Sequence, residues 1–233
     1  MQEGEEEVKV LILAGGLGTR LRPVIGELPK PMADVNGKPF LEILLRKLAR
    51  EGFMDIIISV GYRKDIIEEY LDRIDVGARI AYSEESGQLG TGGALRKAIE
   101  LAGSSDLLLL NGDTYVSDSL SSLAKFHERN GFDATLGTVE VSEERKGGFV
   151  RIEKGRVVEF SEKVGTGTMS SGAIAFRSTT LDLLPQLDVF SIETDFMPAL
   201  IGNGRVAAYR LNGELIDIGT PEGYRRIREV VKG

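Results

Sequence analysis

Residues 8–32, VKVLILAGGLGTRLRPVIGELPKPM, decide the fold. Val8 to Ala14 is a short apolar run that stops at glycines, the pattern of a strand buried within a parallel sheet. The glycines that follow expose backbone N–H groups, which suits an anion. Arg20 and Lys30 then supply cations for phosphate oxygens. Two better-known phosphate loops do not fit. Walker A requires G-x-x-x-x-G-K-[ST], and Gly15 to Arg20 has neither that spacing nor the Lys-Ser/Thr pair. A dinucleotide fingerprint requires G-x-G-x-x-G, but Gly16-Leu17-Gly18-Thr19-Arg20 runs into Leu21. The glycines alone would read as a tight strand-to-loop turn. With TRLRP and PKP attached, the stretch reads as a clamp for a polyphosphate.

Strand and helix patterns alternate beyond this loop. Phe40 to Glu51 repeats leucines at helical spacing and stops at Gly52, a C-terminal signal. Ile56 to Val60 reads as a strand, Asp65 to Leu71 as a helix, Arg79 to Tyr82 as a strand and Thr91 to Leu101 as a helix. Asp106 to Leu110 is an apolar strand that runs straight into NGD. This is the order of an open α/β sheet with helices on both faces. Ligands of such sheets sit at the carboxyl ends of the strands. The Gly15 turn and Asp113 both fall there, so one crevice is expected to hold them.

The second half is less regular. Ala134 to Val141 reads as a strand, and Phe149 to Glu153 and Arg156 to Phe160 flank Lys154-Gly155 as a hairpin. Gly172 to Phe176, Val206 to Leu211 and Leu215 to Ile218 are further strands. Helices are expected near Leu181, from Glu193 to Ile201 and from Pro221 to Val231. Residues 1–7 read as an acidic tail, and residues 8–233 as one domain.

Composition removes several kinds of chemistry. With no cysteine and a single histidine, His127, thiolate metal sites, cysteine nucleophiles, His-based zinc and a Ser-His-Asp triad are set aside. His127 is expected on a solvated helix face. A net charge of −7 argues against a nucleic-acid partner, while a small phosphorylated substrate needs only a local basic pocket. No apolar run is long enough for a membrane span, and the acidic N-terminus is no signal peptide, so a cytoplasmic enzyme is expected.

Asp113 ends a buried strand, where a carboxylate needs a cation partner, and Asp217 in Leu215-Ile-Asp-Ile218 sits similarly. Either could simply cap a turn. Together they suit one hard metal ion held with waters and phosphates. Glu85 opens the loop ESGQLGTGG, where a carboxylate accepts hydrogen bonds only.

The motifs GGxGTRL…PKPM, NGDTY, the Glu162-Lys163 pair and IDIGTPE together resemble the sugar-phosphate nucleotidylyltransferases, and the resemblance covers essentially the whole chain. Those enzymes join a nucleoside triphosphate to a sugar 1-phosphate and release pyrophosphate, and the resemblance implies their fold, a Rossmann-like three-layer α/β/α with a mixed, mostly parallel sheet. Within the family, the runs KPMADVNGKPFLE, YSEE…LGTGGA and FSIE…IDIGTPE look most like the D-glycero-D-manno-heptose 1-phosphate guanylyltransferases. The resemblance implies that Arg20 holds the departing β- and γ-phosphates and that Lys30 touches the α-phosphate and the incoming sugar phosphate. It implies a nucleotide seat of Leu13, Ala14, Gly15, Gly16, Gly18 and Thr19, with the base against Glu85, Leu89, Gly90 and Thr91. At a carboxylate there, Glu85 or its competitor Glu84, guanine offers two adjacent donors, whereas uracil or thymine offers one donor flanked by carbonyls, so guanine is the preferred base. Gly148, Glu162, Lys163 and Gly172 would bind the sugar phosphate, and Asp113 and Asp217 would hold Mg²⁺. Glu193 and Asp195 would contact the sugar or start a helix. Gly147 departs from the family pattern, which commonly has an aromatic there, and Ser171 stands where relatives carry Asn; both bear on which sugar is used. Relatives often form dimers or tetramers, so a homo-oligomer is consistent. The alternatives are a uridylyl-, thymidylyl- or cytidylyltransferase acting on glucose 1-phosphate or a related sugar, a non-catalytic nucleotide-sugar regulator, and a glycosyltransferase, whose D-x-D motif Asn111-Gly-Asp113 only half resembles.

Overall fold

A computed structural model describes residues 8–16, 18 and 21–231, with Arg22 described in its backbone alone. Arg20 and Thr19 of the expected clamp, and the acidic tail, lie outside the described residues. Strand β1 (Lys9–Leu13) delivers the glycine turn. A short helix α1 (Arg22–Ile25) and a 3₁₀ turn at Lys30–Met32 follow. After the small ladder of β2 (Asp34–Val35) and β3 (Lys38–Pro39) come α2 (Phe40–Arg50), β4 (Asp55–Val60), α3 (Lys64–Leu71), β5 (Arg79–Glu84), α4 (Gly90–Ala102) and β6 (Leu107–Asn111). Then follow β7 (Thr114–Val116), α5 (Leu120–Asn130), β8 (Ala134–Glu153), β9 (Arg156–Phe176), α6 (Ser178–Leu181), α7 (Met197–Gly202), β10 (Val206–Arg210), β11 (Leu215–Asp217) and α8 (Pro221–Val230).

Seven strands form one sheet in the order β10-β8-β9-β6-β1-β4-β5. β1 lies parallel to both β4 and β6, and β9 alone runs against its neighbours. Alternation along β1 sorts its side chains between two cores. Val10 and Ile12 face the leucines of α2, with Ile67 of α3, Leu123 of α5 and Ile227 of α8. Leu11 faces Leu95 and Ala98 of α4, with Phe196 and Met197. The three-layer α/β/α reading therefore holds. Among the described residues no helix is long and apolar enough to cross a membrane.

Two departures from the sequence reading matter. The strands expected at Ala134–Val141 and Phe149–Glu153 are one strand, β8, bulged against an equally long β9. Polar Ser142 to Lys146 hides this continuity, because an exposed arm has no apolar alternation to display. The turn itself is as expected: Lys154 and Gly155 sit at φ 50° and 76°, as a two-residue hairpin loop requires. The second departure is a two-stranded antiparallel ladder of β7 and β11, which sets Asp217 opposite Thr114. Thus residues a hundred positions apart flank the end of β6.

His127 corrects an expectation. It is buried at 2% exposure, with Nδ1 2.8 Å from Thr135 Oγ1, because α5 turns this face onto the sheet. Burial, opposed by Asp106 and Asp133 and aided by Arg177, lowers its pKa from 6.5 to about 4. Folding favours the neutral ring, so the stabilisation is complete above about pH 6.5 and is lost as pH falls toward about 4. That difference is worth about 3 kcal/mol. Urea unfolding of the wild type and His127→Gln at pH 7 and pH 4 is expected to show the wild type losing about 3 kcal/mol more than the variant. Parallel losses would contradict the assignment.

Candidate active site

The carboxyl ends of β1, β5 and β6 open into a cavity of about 710 Å³. Its walls include Leu13, Ala14, Gly15, Gly16 and Gly18 from the first loop and Glu85, Leu89, Gly90 and Thr91 from the β5–α4 loop. Lys30, Asn111 and Asp113 line its floor. Every described residue of the expected nucleotide seat is thus brought together. Gly15 has a reason beyond exposing its amide: a methyl group there would collide with the Glu85 carboxyl. That carboxyl accepts from Ser59 Oγ at 2.7 Å and from the Leu89 backbone N–H. Burial raises its pKa, against the lowering effect of these two bonds.

Lys30 reaches the cavity from a short turn stiffened by Pro29 and Pro31, with Pro31 and Met32 buried. Its Nζ donates to Asp113 Oδ2 at 2.6 Å. The β7–β11 ladder brings in the second acid, and the Ile218 N–H bonds the Asp113 carbonyl at 3.0 Å. Asp217 Oδ1 accepts from the Gly219 N–H at 2.7 Å. A methyl group on Gly219 would strike Lys30 Nζ and lie 2.8 Å from Asp217 Oδ1. Lys30, Asp113 and Asp217 therefore gather around one glycine of the IDIGTPE motif, two acids beside one ammonium.

A second cavity, of about 950 Å³, opens from the same junction between the β8–β9 arm and α8. Asn111 and Asp113 line both cavities. Gly148, Glu162, Gly172, Glu193 and Asp217 line the second. Lys163 is the exception among the expected sugar-phosphate residues. It pairs with Gly147 across the arm, one position on from Glu162, so strand alternation turns it to the other face. Its ammonium lies 5.6 Å from the centre of the Phe149 ring, and it does not line the cavity.

Asn111 and Gly219 were not singled out from the sequence for the site. The motifs NGD and IDIGTPE contain both, so the signal was present without a stated role. Glu193 stood between two readings, a sugar contact and a helix start, and the structure shows the helix start. It lies in the first turn after Ser191, whose Oγ accepts from the Glu193 and Thr194 N–H groups, and its side chain borders the second cavity. Asp195 accepts from the Ser191 N–H and so serves the helix start.

Comparison with known proteins agrees with this geometry. A family model described as nucleotidyl transferase matches residues 9–232. D-glycero-alpha-D-manno-heptose 1-phosphate guanylyltransferase of Aneurinibacillus thermoaerophilus is 33% identical over 95% of this chain and 97% of its own length. Mannose-1-phosphate guanylyltransferase of Mycobacterium tuberculosis is 34% identical over 97% of this chain, which spans 66% of that protein. The crystal structure of HddC from Yersinia pseudotuberculosis complexed with GMP-PN superposes with a TM-score of 0.83 at 34% identity, covering 97% of this chain and 100% of HddC.

Proposed function

This chain belongs to the nucleotidyl transferase family, and on that footing we propose that it transfers guanylyl from GTP to a sugar 1-phosphate of the heptose or mannose type, releasing pyrophosphate. The observation that carries this reading is the pair of cavities meeting at Asn111 and Asp113, with Lys30 at the junction. One cavity presents backbone and a base-facing loop, and the other presents carboxylates suited to hydroxyl groups. A reaction that joins a nucleotide to a sugar through a phosphate needs its reacting atoms at such a junction.

The attacking group is a phosphate oxygen of the sugar 1-phosphate, already anionic at neutral pH. It forms a bond to the α-phosphorus of GTP, and the bond from that phosphorus to the β-bridging oxygen breaks. Pyrophosphate leaves with the electron pair. No side chain has to remove a proton, which suits a site without histidine or cysteine. Holding two polyanions in line and spreading the leaving charge is the main task. Lys30 is proposed to bridge the α-phosphate and the sugar phosphate, and Arg20 to hold the β- and γ-phosphates. Gly15, Gly16 and Gly18 are proposed to turn their backbone N–H groups to the triphosphate, and Thr19 to bind it with them.

Asp113 and Asp217 are proposed to hold Mg²⁺. Two carboxylates clustered with an ammonium are a donor set for a hard cation. Such an ion neutralises phosphate charge and orients the oxygens. Gly148, Glu162 and Gly172 are proposed to seat the sugar. Lys163 joins them only if the arm rearranges.

Guanine is favoured because Glu85 lines the base end of the nucleotide cavity as an acceptor and because the relatives named above are guanylyltransferases. The test is a panel of the four common ribonucleoside triphosphates plus dTTP, each with mannose 1-phosphate or D-glycero-D-manno-heptose 1-phosphate, with pyrophosphate release as the readout. GTP is expected to exceed the others by about 10–100-fold in kcat/KM, since one bidentate hydrogen-bonded pair to a base edge discriminates by about 1–3 kcal/mol. Equal rates with UTP or dTTP would refute the base assignment.

A further inference from the structure

Thr91 was expected to serve the nucleotide, yet its hydroxyl points the other way. The segment following Asp188 crosses the first turn of α4. The Phe190 N–H bonds the Leu89 carbonyl at 3.1 Å, and the Gly92 N–H bonds the Phe190 carbonyl at 2.9 Å. Thr91 Oγ1 accepts from the Ile192 N–H at 2.9 Å and donates to Glu193 Oε2 at 2.7 Å. Ser191 Oγ donates to the same oxygen, also at 2.7 Å. Among the described residues Glu193 Oε1 has no hydrogen-bond partner, and the side chain borders the second cavity beside Asn111 and Gly172.

A carboxylate accepts at both oxygens and donates at neither. Two hydroxyl donors on Oε2 fix the plane of the group and leave Oε1 able to accept from a molecule in the cavity that Glu193 lines. Sugar hydroxyls are the donors that a polyol brings there. Thr91 lines the nucleotide cavity and Glu193 the sugar cavity, so the wall between them contains this hydrogen bond.

We propose that Glu193 is a sugar-recognition residue, its Oε1 accepting from a hydroxyl of the manno ring, and that Thr91 is the positioning residue that aims it from the nucleotide side. The proposal rests on the reading of the second cavity as the sugar site. It also gives Thr91 two separable duties, with its backbone facing the nucleotide and its hydroxyl serving the sugar.

The test is calorimetric titration of GDP-mannose and of GDP into the wild type, Glu193→Ala, Glu193→Gln, Thr91→Val and Thr91→Ser, with Mg²⁺ present and thermal midpoints measured alongside. Losing a charge-assisted hydrogen bond is expected to weaken GDP-mannose by at least about 10-fold in Glu193→Ala, with a smaller loss in Glu193→Gln. GDP affinity is expected to stay within about twofold in both. Thr91→Val should weaken GDP-mannose more than GDP, and Thr91→Ser, which keeps the hydroxyl, should restore it. If Glu193→Ala weakens GDP and GDP-mannose equally, or neither, Glu193 is only a latch for the segment and the proposal fails. If the wild type binds GDP but gains nothing from the mannosyl group, the reading of the second cavity as the sugar site fails, and this inference with it.

Discussion

Asp113→Asn is expected to lower kcat for pyrophosphate release by about 10³-fold or more while the protein stays folded. The substitution is isosteric and sits where the two cavities meet. It removes the negative charge 2.6 Å from Lys30 Nζ and one of the two carboxylates proposed for the metal. Lys30, largely buried at 11% side-chain exposure, loses its ion-pair partner and keeps Asp217 near it. A charge stranded in that way costs stability, here about 1–2 kcal/mol because Asp113 itself is 31% exposed and water can reach the pair. In a chain of 233 residues that is a fall of only a few degrees in the thermal midpoint. Kinetics and a melting curve on one preparation therefore separate the two effects. Residual turnover above a tenth of wild type would remove Asp113 from the catalytic machinery.

What the sequence made legible follows from the range of the signals. A strand that ends in glycines, or an apolar run that stops at NGD, is a local pattern, and the rule that ligands gather at strand carboxyl ends joins Gly15 to Asp113 without any long-range contact. The β5–α4 loop was tied to the nucleotide by the family resemblance instead, and its own residues read only as a loop with an N-cap at Thr91. The pairing of β7 with β11 had no such signature. Three residues per strand carry too little periodicity to name their partner, and only the fold shows Asp217 beside Lys30. His127 was misjudged because the helical spacing of Leu123 to Arg129 leaves the rotation of α5 on the sheet open by one residue. Lys163 was placed by its neighbour Glu162, although adjacent strand residues face opposite ways. The hydroxyl of Thr91 is a fourth case: its partners, Ile192 and Glu193, lie a hundred residues along the chain.

Lys30→Met is the second change expected to disable the site, lowering kcat/KM by about 10²–10³-fold. Met keeps most of the length and apolar stem, so the buried packing beside Pro31 and Met32 survives, while the one described cation at the junction of the cavities is lost. The charge-conserving Lys30→Arg is not expected to rescue it. The ammonium is seated so close to Gly219 that even a methyl group on that glycine would strike it, and a planar guanidinium needs more width than an ammonium. Lys30 and Asp113 form one contact, so the double variant Lys30→Met/Asp113→Asn should lose far less than the product of the two single losses. Steady-state kinetics on the four proteins supply the cycle. A fully multiplicative loss would mean that the two residues act on separate steps, and that the 2.6 Å pair has no part in the reaction.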